Sequence, residues 1–326
     1  MAVATTFAML LSQAIPWPLS FITPVLVVAL YEMPISQPTL VEFGKNLLAT
    51  TVSVTAVFIF VMLLQPFPLV FICAYSLLVF WLAYLMHKGA PLVPMLLSLI
   101  AAIILPIVGM VDEGLSAIIG GCLLLSMLLG LIIVQLGFGL LPDPPTEEVP
   151  TVAPYQPGYH AQHARAALAT TLALVPAMVF FLAFNIPAQL VVMIYIAIIV
   201  WEGNLGHSIY DAKKYLMANL VGGLTALIVY YLLVAVPEIY FLIPVMLLVT
   251  VLFANYRFSG RAGSAFFGSA LIGVVILISS STGASADIDT NIVVRVFYIF
   301  LASAYGLCAM SIIAPLVNPD GEAAGH

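Results

Sequence analysis

Two dipeptides supply the first candidate chemistry in this chain. Tyr31-Glu32 and Trp201-Glu202 each set an aromatic ring beside a carboxylate. A ring face stacks on an aromatic molecule. A carboxylate in low-dielectric surroundings takes up and releases protons closer to neutral pH than one in water. Glu32 and Glu202 are therefore the candidate proton carriers, and Tyr31 and Trp201 the candidate stacking surfaces. The plainer alternative is an interfacial aromatic belt with a solvated acid beside it. His207, Asp211, Lys213 and Lys214 follow Glu202 closely. With Glu32 and Glu42 they suit a polar vestibule. Asp211 would be a third proton acceptor there. His207 would be a substrate contact whose ring titrates near physiological pH. Solvated loop charges are the competing description. Arg295 stands in the apolar stretch NIVVRVFYIF. An arginine at such a place needs a partner or a water-filled cavity, or else snorkels to the surface. It is the candidate attraction point for an anion, with Asp287 and Asp289 close in sequence.

The elements that must position these residues are membrane helices. Hydrophobic residues make up 64% of the chain and charged residues 7%. A soluble domain carries about 25% charged residues, so this chain needs lipid as its solvent. Lipid admits only helices and closed barrels. A barrel would read as alternating stretches of about ten residues. The runs here are long and continuous, as in Leu47–Leu64 and Leu216–Val236, which predicts transmembrane helices. The apolar start has no basic n-region and reads as a retained helix.

Apolar segments cover about 2–15, 18–33, 44–65, 67–86, 91–110 and 114–141. A Pro-rich polar stretch, 142–163, is unsuited to lipid and reads as a linker. Further segments cover about 164–184, 187–202, 212–236, 238–256, 262–282 and 290–316, and a short tail, 318–326, reads as flexible. The expected fold is all-α and integral to the membrane, with about twelve transmembrane helices in two six-helix halves, 1–141 and 164–317.

The halves read as copies. Ala4–Thr6 recurs at Ala169–Thr171, and Tyr31-Glu32 recurs as Trp201-Glu202. Val41–Leu47 answers to Tyr210–Leu216, LAYLMHKG before Gly89 to FANYRFSG before Gly260, and VDEG at Val111–Gly114 to ADID at Ala286–Asp289. Colinear order makes these weak matches informative together. With a cytoplasmic N-terminus, Lys45, Lys88, Arg165, Lys213, Lys214, Arg257 and Arg261 all fall on the cytoplasmic side, seven of the eight Lys and Arg residues. That is the positive-inside pattern. An even segment number per half makes the repeats parallel, with both termini cytoplasmic. Tyr256-Arg257 and Arg261 then read as anchors to phospholipid headgroups.

The second segment of each half is short for a bilayer core of about 30 Å, and Pro16 and Pro18 break the first hairpin. Short or interrupted segments at matching places mark transport sites. Gly222, Gly223, Gly120, Gly121 and Gly130 read as close-packing positions, and Ser279–Ser285 as a polar break that lines either a path or an interface. Cys73, Cys122 and Cys308 read as small packing residues. The sequence has no phosphate-binding loop, zinc spacing or nucleophile elbow. Neither an ATP-driven pump nor an enzyme is expected, and no cofactor, metal or nucleic acid.

Two parallel six-helix halves, each opened by a short hairpin, resemble the fusaric acid resistance and aromatic acid exporter superfamily, in a short membrane-only form. The resemblance rests on ARAALATTLALV from Ala164, VMIYIAIIVWEG from Val192, YDAKKYLMANLVGGLTALIVYYLL from Tyr210 and NIVVRVFYIFLASAYG from Asn291. Arg165, Lys213 or Lys214 with Gly222 and Gly223, and Arg295 stand where that family has an opening arginine, a basic residue before a glycine-rich helix, and an arginine in the sixth helix. The N-terminal half departs from this: it has no opening arginine, and ATTVSV replaces glycine in its third helix. The resemblance implies an exporter of the bacterial inner membrane, driven by the proton gradient, for aromatic carboxylic acids and other small toxic compounds. It also implies a periplasmic membrane-fusion adaptor and an outer-membrane channel as partners, besides membrane lipid. Aliphatic outer helix faces suit a homo-oligomer as well as lipid. The competing functions are an anion channel and a non-transporting scaffold of an efflux assembly.

Overall fold

The protein is represented by a computed structural model that describes residues 1–15, 17–32, 39–109, 113–140, 155, 158–184, 192–194, 196–197, 200, 209–236, 238–259, 264–282 and 292–317. Among the described residues the regular elements are helices and there is no strand. They are α1 (Ala2–Ala14), α2 (Ile22–Glu32), α3 (Leu40–Leu64), α4 (Pro68–His87), α5 (Leu92–Gly109), α6 (Glu113–Leu140), α7 (Ala161–Ala183), α8 (Ile209–Ala235), α9 (Ile239–Arg257), α10 (Ser264–Thr282) and α11 (Ile292–Val317). Eight of them contain stretches long and apolar enough to cross a membrane. The other three, α1, α2 and α10, are apolar with shorter spans. The chain is thus a multi-pass helical membrane protein by the length and composition of its helices. Of the twelve expected segments, 187–202 lies largely outside the described residues.

Local chemistry sets several helix ends. At the start of α3, Thr39 and Glu42 form a capping box. Thr39 donates its N–H to Glu42 Oε2 at 2.9 Å, and the Glu42 N–H donates to Thr39 Oγ1 at 3.3 Å. The Glu42 carboxylate, expected in a vestibule, therefore serves a helix end. Pro68 opens α4, where a missing N–H costs nothing. Large apolar side chains such as Leu69, Leu140, Leu63 and Ile228 stay exposed, as a lipid solvent allows. Cys73 and Cys308 share that exposure, and Cys122 is half-buried.

The chain packs as two compact units. The first holds Met1–Phe43, Gly121–Pro150 and Lys214–Phe300, and the second Gly44–Gly120, Thr151–Lys213 and Leu301–His326. Each draws on both sides of the Pro-rich stretch. In the first, α1 packs on α2 and α9, and α2 and α9 pack on α10. In the second, α4 packs on α5 and α7, and α5 on α7. Helix α5 is buried along nearly its whole length.

The α1–α2 hairpin is the feature that matters most for position. At 13 and 11 residues, its arms reach only about 20 and 16 Å, against a hydrocarbon core of about 30 Å. Its turn is covered on one side. Trp17, Leu19, Ser20 and Phe21 are buried against protein, while Ile15 and Pro18 are exposed. Irregular backbone at membrane depth is tolerated only when protein satisfies its polar groups, and that is found here. Trp17 donates its indole N–H to Ser126 Oγ at 2.7 Å, and Ser126 Oγ lies 2.9 Å from the Cys122 carbonyl and 3.2 Å from that of Leu19. Ser12 Oγ reaches the Ser20 carbonyl at 2.9 Å. Leu19 takes a positive φ of 63° to close the turn.

Two glycines expected to serve packing behave differently. A Cβ on Gly222 would meet the Ala270 carbonyl oxygen at 2.6 Å, so α8 and α10 touch through backbone there. Gly121 has nothing within 4 Å of such a Cβ. Gly222→Ala should therefore destabilise the protein by about 1–3 kcal/mol, while Gly121→Ala should leave it unchanged or raise stability by up to about 1 kcal/mol. Thermal unfolding in detergent measures both. The hairpin makes a second expectation. In a background without the native cysteines, Ser20→Cys should resist a membrane-impermeant maleimide from both sides, while Tyr159→Cys reacts. Labelling of Ser20→Cys at the rate of Tyr159→Cys would mean two full crossings instead of a buried turn.

Candidate functional site

Glu32 ends α2, the inner arm of the hairpin, and Arg257 ends α9. The two meet inside the first unit, where Arg257 donates its Nε–H to Glu32 Oε2 at 2.5 Å. The side chains are 15% and 25% exposed respectively. The other carboxylate oxygen, Oε1, is buried and has no hydrogen-bond partner. Gly268 on α10 gives the carboxylate its room, since any side chain there would run into it. Three elements thus build the pair. The hairpin brings the acid, α9 brings the base, and a glycine on α10 lets the acid approach the helix backbone.

The surroundings make this charge pair unusual. Coulomb attraction strengthens as the local dielectric falls, but so does the penalty of taking each ion from water. A carboxylate with one oxygen unsatisfied carries a further desolvation cost. The site is therefore stable as a pair and costly as two separate ions. Any event that neutralises Glu32 leaves Arg257 in need of another anion.

Aromatic surface lies beside the pair, though not where the sequence placed it. The Arg257 guanidinium sits 5.7 Å from the Phe258 ring centroid. Tyr256 stacks on Phe267 at 4.9 Å, and Phe253 and Phe266 pack edge-on to Phe267. Tyr31, the expected stacking surface, packs towards α6. Its ring lies 5.1 Å from Phe138, and its hydroxyl donates to the Val134 carbonyl at 3.3 Å. Gly137 leaves the space that this hydroxyl fills.

Of the other expected site residues, Trp201, Glu202 and His207 lie outside the described residues. Asp211 and Arg295 sit near the starts of α8 and α11 by their backbones, and their side chains also lie outside. Among the described residues no three His, Cys, Asp or Glu side chains are placed to hold a metal. A groove of about 550 Å³ on α4 is lined by Leu69, Val70, Cys73, Ala74 and Leu77 and brings no polar side chain to bear. Arg257 is the residue that sequence reasoning assigned elsewhere, to lipid headgroups. The sequence holds no clear signal of its partner: Arg261 follows closely, and Glu238 at the start of the same helix is a nearer acid in sequence.

Removing one member of the pair should cost more than removing both. Arg257→Met leaves a buried carboxylate without its counter-ion and should cost about 3–5 kcal/mol. Adding Glu32→Met to it should recover most of that loss. A double-mutant cycle on thermal unfolding in detergent reads the difference, and a double variant whose loss equals the sum of the two single losses would show that the two side chains do not interact.

A family model described as a protein of unknown function, DUF2955, matches residues 1–137. The match runs from α1 into α6, so it includes Tyr31 and Glu32 but not Arg257. It carries no activity and gives no link to the aromatic acid exporters. No curated protein and no solved structure matches the chain.

Proposed function

We propose that this protein is a proton-coupled secondary transporter of small organic acids, and that the Glu32–Arg257 pair is where proton and substrate are linked. The part-buried pair, with one carboxylate oxygen buried and unsatisfied, carries this reading. In a chain this poor in charge, an ion pair inside an apolar helical unit is expensive, and such groups generally mark ion or substrate paths.

The linkage follows from charge balance. With Glu32 ionised, the pair is closed and Arg257 is satisfied. When Glu32 binds a proton, Arg257 loses its counter-ion and takes up the carboxylate of a substrate. Loss of the proton restores the pair and expels the anion. Proton and anion therefore bind together, and the carrier moves the acid as one proton plus one anion. Transport then runs outward when the acid accumulates inside. Export driven against the acid's gradient by an inward proton gradient would need a second proton site besides this pair. Glu202 and Asp211 are the candidates for it, with Trp201, His207 and Arg295 as substrate contacts. Tyr256, Phe258 and Phe267 suit an aromatic acid better than an aliphatic one.

The two-copy reading has support of its own. The first unit combines the opening hairpin of the N-terminal half with α8, α9 and α10. The second combines α3, α4 and α5 with α7, which opens the C-terminal half. A parallel repeat whose opening segments are exchanged between halves accounts for this arrangement. The bacterial inner membrane, cytoplasmic termini and a periplasmic adaptor with an outer-membrane channel complete the proposal on the resemblance alone.

Purified protein in liposomes gives the test, with a slowly permeant aromatic carboxylate such as phthalate as probe. Phthalate flux should acidify the receiving side. Glu32→Gln should still bind phthalate while proton movement disappears, and Arg257→Gln should lose at least about tenfold in phthalate binding, one charge-assisted contact. Proton movement that persists in Glu32→Gln would remove Glu32 from the mechanism. Single-channel steps without proton movement would favour the anion channel.

A further inference from the structure

The second unit holds a cation that meets rings. Lys88 follows α4 directly, and among the described residues no carboxylate pairs with it. Its ammonium lies instead 5.5 Å from the Tyr84 ring centroid and 5.0 Å from that of Tyr155. Two ring faces fix the position of this charge while its remaining N–H donors are left for something else. Tyr84 is itself held in place. It is buried, its hydroxyl accepts the His160 N–H at 3.2 Å, and the same hydroxyl donates to the Gly158 carbonyl at 3.4 Å. These contacts bring the start of α7 against the end of α4.

More hydrogen-bonding groups gather at that junction. The His160 ring packs 5.5 Å from that of His163, and its buried Nε2 has no partner. His163 is within electrostatic reach of His87 on α4. Arg165 follows on α7 and is exposed. The first N–H groups of α7 add the positive end of a helix. Around the rim, Trp81, Tyr155 and Tyr159 are half or more exposed. Helices α4 and α7 are both long enough to cross a membrane, so their paired ends lie at the membrane–water interface. Amphipathic rings belong at that level.

We propose that the α4–α7 junction is a binding site for the headgroup of an anionic phospholipid, with Lys88 as its main contact. The phosphate accepts from the Lys88 ammonium and from the His160 ring. The exposed rings of Trp81 and Tyr159 cover the glycerol and upper acyl region. An anion suits the site because Lys88 meets rings and, among the described residues, no carboxylate. A lipid is favoured over free phosphate because aromatic surface at interface depth has no use for a fully hydrated ion. This inference is independent of the Glu32–Arg257 pair.

The test uses the full chain in detergent with four probes: dioctanoyl phosphatidylglycerol, dioctanoyl phosphatidylcholine, inorganic phosphate and phthalate. Bound adducts are counted by native mass spectrometry and binding is titrated through the thermal unfolding midpoint. Phosphatidylglycerol should bind more tightly than the other three. Lys88→Gln should weaken it by about fivefold, the weight of one lysine near an anionic headgroup. Lys88→Arg should retain it and shows that the position tolerates change. Lys45→Gln removes an exposed charge elsewhere in the same unit and should have no effect. Equal loss in Lys45→Gln, or none in Lys88→Gln, would overturn the site. Equal binding of phosphatidylcholine or phosphate would overturn the lipid assignment. Phthalate binding lost in Lys88→Gln would make the junction a substrate contact instead.

Discussion

A peptide N–H inside hydrocarbon has no water to turn to, and each one left unpaired costs several kcal/mol. That constraint decides most of this protein. It makes long apolar runs into helices. It also governs a place where the backbone leaves helical geometry inside the first unit, the turn between α1 and α2. Pro18 and Leu19 break the ladder there, and Ser12, Ser126 and Trp17 supply the side-chain contacts. The hairpin can be short because protein covers one side of its turn. Because it is short, its inner arm ends at Glu32 beside α9 and α10.

The charge pair follows the same economy in a different currency of forces. Arg257 and Glu32 serve as each other's counter-ion. Their partnership is fixed by geometry more than by affinity: a hairpin arm of fixed length, the end of α9, and a glycine at 268. In the proposed cycle the pair is either closed on itself or opened by a proton and a substitute anion. The structure gives the closed one.

Much of this is legible in the sequence, and the limits are physical. Membrane character follows from composition alone. The long spans follow from run length, and the weakness of the first two segments from their length and from Pro16 and Pro18. Glu32 stands out as an acid ending a short apolar segment. Its partner does not, because pairing across 225 positions leaves no periodic trace. Arg257 at a segment end looks like any interfacial arginine. Tyr31 misleads for a related reason: a tyrosine beside an acid looks the same whether its ring faces a substrate or Phe138. The capping role of Glu42 was readable, since Thr39 precedes it by three residues, but the vestibule reading competed for the same carboxylate.

The separation between Glu32 and Arg257 also bears on how the chain is made. A ribosome adds about 5–20 residues each second. With 225 positions between them, the hairpin emerges roughly 10–45 s before the helix that completes its charge pair. During that interval its arms have neither α9 nor α10 to pack on, and Glu32 lacks the counter-ion it has in the folded protein. The hairpin therefore waits, during synthesis, for helices made long after it, and its seating is a late event.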